Sequence, residues 1–279
     1  MLGEPVARQL HARGHTVRVL SRSPEKARAR FGPEYEVVRG DVDEPASLAA
    51  ALAGCRGVHV NLDGKFDPDL ERRGGENTAR AAAEAGVERM TYLSGASVCA
   101  ENLWYAGTRA RYEAEQAIQH SGVPFTIFRA HFFMETLHNF ARGRVVLQIG
   151  RHPHPYYWIA AADYARMVAQ AHATPAAAGK ILYACGPEAL TMRQALATFR
   201  RIVHPAARMV PLPLWAATLL ARAGNRRELQ AALPFFRYCE RVQIILSGSP
   251  AEANALLGAP ATTLEQWCRL QLDESSSVG

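Results

Sequence analysis

No hydrophobic stretch in this chain approaches the roughly 18 apolar residues that a membrane-spanning helix needs. The best candidate, Pro211 to Leu220 (PLPLWAATLL), is too short and runs into Arg222. Nor do the opening residues resemble a secretion leader, because Glu4, Arg8 and His11 interrupt them. The expectation is a cytoplasmic protein without a membrane partner. Cysteine is sparse: Cys55, Cys99, Cys185, Cys239 and Cys268 are odd in number, far apart and form no CxxC pair. Such spacing argues against a disulfide framework or a zinc site and predicts reduced thiols and no metal. His152-Pro-His154-Pro lacks a third ligand and reads as a proline-stiffened loop. Lysine is scarcer still (Lys26, Lys65 and Lys180), so arginine carries the net charge of +6 and the pI near 9.2. These arginines are scattered between acids. The short pairs Arg72-Arg73, Arg200-Arg201 and Arg226-Arg227 read as solvated faces, and no nucleic-acid partner is expected. Gly-x-Ser-x-Gly, a P-loop and Cys/His dyad spacing are missing too.

What is present is a soluble composition, 48% hydrophobic and 21% charged, with a strong alternation of strand and helix. Helical stretches at 5–13, 23–30, 44–53, 67–85 and 108–120 separate β-branched runs at 16–20, 35–39, 57–62, 90–94 and 125–129. Short connections between such elements imply parallel pairing through right-handed crossovers. The fold class is therefore α/β, a doubly wound parallel sheet with a smaller, mostly helical C-terminal lobe. Residues 1–135 form the dinucleotide-binding core and 136–279 the substrate or lid lobe, with 145–185 returning to the core sheet. Strands are expected at 145–149 and 181–184, helices at 163–173, 192–203, 214–223, 227–241 and 251–257, and a disordered tail from Asp273 to Gly279.

A dinucleotide on such a sheet lies at the carboxyl ends of the strands, its pyrophosphate at the first helix's N-terminus. That chemistry calls for a strand, a glycine-rich turn and a helix, yet this chain opens Met1-Leu2-Gly3-Glu4-Pro5 and is at once helical. Only Gly3 remains of a glycine loop. The next strand end is more informative: Ser21, Arg22 and Lys26 stand where an acid would grip the ribose 2′-hydroxyl of NAD, and cations suit a 2′-phosphate. NADP(H) is thus expected over NAD(H). Asp41-Val42, after the next strand, would flank the adenine.

Several stretches, taken in order, resemble the NmrA-like, atypical short-chain dehydrogenase/reductase proteins. They are Gly3 to Lys26, Arg39 to Ala53, Met90 to Ala96 (MTYLSGA), Ser121 to Thr136 (SGVPFTIFRAHFFMET) and Ala162 to Val168 (ADYARMV). The resemblance implies a Rossmann-like fold with NADP(H) held by Arg22, Lys26, Asp41, Val42, Asn61 and Leu62. It also implies a substrate cleft near Ser94, Trp104, Tyr105, His131, Phe132, Phe133 and Met134.

Two departures follow. Members of that family begin with a strand and a GxxGxxG loop whose last glycine corresponds to Gly3, so this chain starts about a dozen residues late, with a misassigned gene start the expected cause. The absent strand is central, and its neighbours should face a gap whose unpaired backbone groups cost ~1–3 kcal/mol each if buried. Catalysis departs as well. In Tyr-x-x-x-Lys the lysine lowers the phenol's pKa, but here the lysine position falls on Arg111 and the tyrosine position on Gly107. Tyr105-x-x-x-Arg109 imitates the pair two residues early. The reading is an atypical NADP(H)-dependent reductase of a small apolar acceptor, flavin-like, quinone-like or enone, with Ser94, Tyr105 and Arg111 polarising or protonating it. The alternative is a non-catalytic NADP(H) redox sensor acting through a regulatory protein partner.

Overall fold

Helix and strand alternate from the first residues of the computed structural model, which describes residues 2–64, 66–242 and 249–277. In chain order the elements are α1 (Gly3–Ala12), β1 (Arg18–Ser21), α2 (Pro24–Phe31), β2 (Glu36–Arg39), α3 (Pro45–Leu52), β3 (Gly57–Val60), α4 (Leu70–Glu84), β4 (Arg89–Gly95), α5 (Ala106–His120) and β5 (Phe125–Ala130). There follow β6 (Phe132–Phe133), β7 (Ala141–Arg142), β8 (Val145–Ile149), β9 (Pro155–Ile159), α6 (Ala161–Ala173), β10 (Lys180–Ala184), β11 (Glu188–Thr191), α7 (Met192–Val203), β12 (Arg208–Leu212), α8 (Leu214–Ala223), α9 (Arg227–Arg241), α10 (Pro250–Leu257) and α11 (Leu264–Ser277). Local chemistry accounts for several boundaries. Pro24 and Pro45 occupy the first helical turn of α2 and α3, where a missing N–H costs nothing. Gly14 and Gly86, at φ 86° and 68°, take the left-handed conformation just past α1 and α4.

The chain divides into two units. The first comprises 1–129, 161–184 and 246–258; the second comprises 130–160, 185–245 and 259–279. The boundary expected at 135 thus falls at 130, and of the segment 145–185 only 161–184 rejoins the first unit. In that unit β3 and β4 pair in parallel within a four-stranded sheet of order β10-β5-β4-β3, whereas β1 and β2 form a separate parallel pair. The core is built from Leu48, Leu52, Met90, Tyr92, Ile118 and Ile127. α4 packs closely on α5 because Gly75 has no Cβ; one there would lie 2.6 Å from that of Ala114.

The second unit is rich in helix, as expected, but also carries two three-stranded sheets, β11-β9-β6 and β12-β8-β7. Its core includes Trp158, Phe199, Leu196 and Trp267. Gly186 lies against the backbone there: a Cβ would meet the Trp158 carbonyl oxygen at 1.6 Å. The expected disordered tail is helical in α11 as far as Ser277, and its last two residues lie outside the described ones. All five cysteines are free thiols, with Cys185, Cys239 and Cys268 buried. No helix among the described residues is long and apolar enough to cross a membrane.

Candidate functional site

The break anticipated from the sequence lies between β1 and β3. Each has a single strand neighbour among the described residues, and both line one cavity of ≈ 880 Å³ in the first unit. Of the eight residues expected to hold a dinucleotide, Gly3, Val42, Asn61 and Leu62 are gathered on this cavity. Val42 and Leu62 converge on Gly74, where a Cβ would lie 3.1 Å from Val42 Cγ2 and 2.6 Å from Leu62 Cδ1. The Asn77 side-chain amide donates to the Val42 carbonyl at 3.0 Å and fixes the loop after β2. Asp41 accepts from its neighbour Asp43 N–H at 3.1 Å, while the Ser47 hydroxyl donates to the Asp41 carbonyl at 2.9 Å. Arg22 is largely exposed and reaches Asp41 at 3.9 Å. Ser21 ends β1 and accepts from Ser23 N–H at 3.1 Å; Lys26 is exposed on α2.

Gly3, which opens α1, and Asn61 and Leu62, just past β3, place helix start and strand end on the same cavity. The first turn of α1 has no side-chain cap, so its N–H groups are available to an anion. Glu4 in that turn is a carboxylate, held below the usual range by hydrogen bonds from Arg30 and Arg8 acting against partial burial, and these two guanidinium groups offset its charge. Arg72 and Arg73 are engaged by Asp43, Asp67, Asp69 and Glu76, which accounts for much of the local basic charge.

Around the end of β4 the structure adds two acids that the sequence does not single out. Ser94 is buried and its hydroxyl donates to Glu115 at 2.5 Å. Glu115 is fully buried and bound also by Arg129, at 2.6 and 3.0 Å. Burial disfavours the Arg129 charge, but the Glu115 carboxylate outweighs it and raises the guanidinium's pKa. Glu71, equally buried, accepts from Tyr92 at 3.0 Å and from Arg111 at 3.0 Å. Arg111 likewise keeps its charge despite burial, through Glu71 and the neighbouring Tyr92 and Tyr105 oxygens. Burial, reinforced by Glu71, drives the Tyr92 phenol's pKa well up, so it stays a hydrogen-bond donor. Tyr105 folds its ring over Gly107, and a Cβ at 107 would lie 2.8 Å from that ring and 3.4 Å from its hydroxyl. Trp104, half-exposed beside it, meets the Tyr105 ring edge-on at 6.3 Å.

The other expected cleft residues belong to the second unit. His131 accepts from Tyr157 N–H at 3.1 Å, and burial lowers its pKa to about 4. Phe132 stacks among Tyr156, Trp158 and Phe235. Phe133 and Met134, placed near the cleft by the resemblance, are buried, Met134 within the core cluster. His152 is tied to Ile149 and Tyr156, and no metal-holding cluster exists among the described residues.

A histidine pair also lines the cavity. Thr91 Oγ1 bridges His59 Nδ1 at 3.0 Å and His172 Nε2 at 3.1 Å. Burial, with the neighbouring His172, lowers His59 to about 3; burial, with Arg89 and His15, lowers His172 to about 4. Both imidazoles are therefore neutral when folded, while the unfolded chain takes up protons below about 6.5. Their stability contribution is present above pH 6.5 and declines as pH falls toward 4. At pH 5 the loss should be about 1–2 kcal/mol per histidine. Urea midpoints measured at pH 7.5 and 5 check this, and His172→Gln should flatten the dependence.

Comparison with known proteins extends these observations. Residues 1–175 match the NAD(P)H-binding family model. The chain is 30% identical over 270 residues to the (4-alkanoyl-5-oxo-2,5-dihydrofuran-3-yl)methyl phosphate reductase of Streptomyces griseus, covering 95% of this chain and 93% of that one. It superposes with a TM-score of 0.77 on an NADPH-dependent quinone oxidoreductase from Escherichia coli complexed with NADPH, at 20% identity, covering 98% and 96% of the two chains. NmrA, a negative transcriptional regulator in complex with NADP, superposes with a TM-score of 0.69 at 17% identity, covering 99% and 94%.

Proposed function

We propose, for a chain that belongs to the NAD(P)H-binding family, that it is an atypical, NmrA-like reductase that reduces a conjugated carbonyl acceptor, quinone-like or enone, with NADPH. One observation carries the reading. The Tyr105 phenol occupies the space over Gly107, where the family's tyrosine would begin, and it neighbours the Arg111 guanidinium. A phenol thus stands close to the position from which the family's tyrosine would project.

The bound nicotinamide would supply the hydride. Arg22 and Lys26 would hold the 2′-phosphate, the uncapped first turn of α1 the pyrophosphate, and Val42, Asn61 and Leu62 the adenosine side. Tyr105 donates a proton to the acceptor oxygen. Arg111, anchored by buried Glu71, stabilises the negative charge developing there. Ser94 has its proton committed to Glu115, and so holds β4 against α5 rather than serving the acceptor directly.

The test is NADPH oxidation with a panel of quinones and α,β-unsaturated lactones. Turnover of at least one is expected, and binding of NADPH with turnover of none would sink the reading. Arg22→Ala with Lys26→Ala should weaken NADPH binding about tenfold or more, leaving NADH unchanged, since charge-assisted bonds contribute roughly 1.5–3 kcal/mol each. The sensor alternative draws on the glycine at 107. It requires unequal affinity for NADPH and NADP⁺, because a ligand shifts a conformational equilibrium only through differential binding.

A further inference from the structure

α8 is apolar on both of its sides. Ala217 and Ala221, fully buried, set it against α9, where Gln230 Nε2 donates to the Ala221 carbonyl at 2.9 Å and Arg237 reaches the Thr218 hydroxyl at 3.5 Å. At about 100° per residue, the opposite side carries Trp215, Leu219 and Ala223, with Leu220 beside them. Trp215 is 70% exposed, more than any other large hydrophobic side chain among the described residues, and Leu219 and Leu220 are 58% and 46% exposed. A helix that met only water there would present polar residues. The polar groups come instead at its C-terminal end and beyond. From 222 to 241, Arg222, Arg226, Arg227, Arg237 and Arg241 stand against Glu228 and Glu240 alone. Arg222 follows Trp215 by about two turns and so continues the same stripe. Arg222, Arg226 and Arg227 are exposed, and their guanidinium groups have no partner among the described residues.

We propose that α8 docks on an anionic phospholipid surface and lies flat in its plane. Trp215, Leu219 and Leu220 enter the boundary between headgroups and acyl chains, and Arg222, Arg226 and Arg227 meet the lipid phosphates and carboxylates. An indole suits that boundary, being apolar in body with one N–H for the wet side. The helix has 10 residues and cannot cross a bilayer, but a helix lying on one needs no spanning length. The expectation of no membrane partner rests on span length and does not bear on this geometry. A second copy of the chain fits less well, because a two-fold contact through this face would bring its arginines against their own counterparts. Nucleic acid would use the arginines and leave the leucines wet. The inference is independent of the reductase reading.

The full chain is mixed with phosphatidylcholine vesicles containing either no phosphatidylserine or roughly one quarter of it, and the bound fraction is read by co-sedimentation. Binding to the anionic vesicles alone is expected, and it should fall as salt rises. Tryptophan emission should shift to the blue on binding, and Trp215→Phe should remove that shift while keeping most of the affinity. Arg226→Gln with Arg227→Gln should weaken binding about tenfold or more, because each arginine near such a surface contributes a factor of about five. Trp215→Ser with Leu219→Ser should weaken it on a similar scale. Urea midpoints check that these variants fold; were either to misfold, the Trp215→Phe emission comparison still decides. A blue shift that survives in Trp215→Phe, no binding, or equal binding to both kinds of vesicle would each overturn the proposal. So would a dimer in sedimentation velocity that Trp215→Ser with Leu219→Ser dissolves.

Discussion

Replacing Glu115 with alanine will lower the unfolding free energy by about 3–5 kcal/mol, the cost of leaving a buried charge without its partner. Arg129 is only 11% exposed and both its Nε and Nη2 are spent on Glu115. Without the carboxylate, the guanidinium keeps its hydrogen bond to the neutral Tyr183 hydroxyl at 3.3 Å, which does not balance its charge. Ser94 loses its acceptor at the same moment. The urea midpoint should fall while the slope stays constant, since the transition exposes the same surface. Combining Glu115→Ala with Arg129→Met should cost less than the two single changes added together, because the second removes the stranded charge. Strict additivity would show that the pair is not energetically coupled.

Tyr105→Phe should cut kcat for the best quinone or lactone acceptor by about 10²–10³, the usual scale of a positioned proton donor, with NADPH affinity unchanged. Arg111→Met should act in the same direction, because the charge on Glu71 is then uncompensated and the phenol loses its cationic neighbour. Glu71→Gln tests positioning: Arg111 keeps its charge but loses its anchor, so kcat should fall less than in Arg111→Met. The pH–rate profile separates these roles. A phenolic donor gives an alkaline limb that Tyr105→Phe removes and Glu71→Gln only shifts. An unaltered kcat in Tyr105→Phe would take the proton step away from this residue.

Much of the first unit is legible in the sequence because local signals agree with tertiary ones. Gly14, Gly54 and Gly86 stop helices, Pro24 and Pro45 start them, and the apolar runs between them become strands. Less of the second unit can be read this way. β9 follows His152-Pro-His154-Pro and begins at Pro155, so local punctuation signals a loop, yet its ladder with β11 makes it a strand. β12 contains Pro211, a residue that local propensity places at edges or outside sheets. α11 ends in a serine run with weak helical preference. In the site, the residues flanking strand ends are readable from type and position. Glu71 and Glu115 are not, because a glutamate in an alanine-rich helix ordinarily faces water. Their burial follows from arginines on other elements, Arg111 on α5 and Arg129 on β5, which no spacing along one helix reveals.

Tyr105 leaning across Gly107 also bears on how members of this family are sorted by sequence. A motif written as an interval between letters measures distance along the chain, whereas a proton travels through space. Once the residue at the nominal position shrinks to hydrogen, an aromatic side chain from the preceding turn can swing into its volume, and the string no longer matches although a phenol still stands beside that position. Chains discarded for a broken tyrosine–lysine pattern would be better sorted by asking which ring lies over the vacated Cβ.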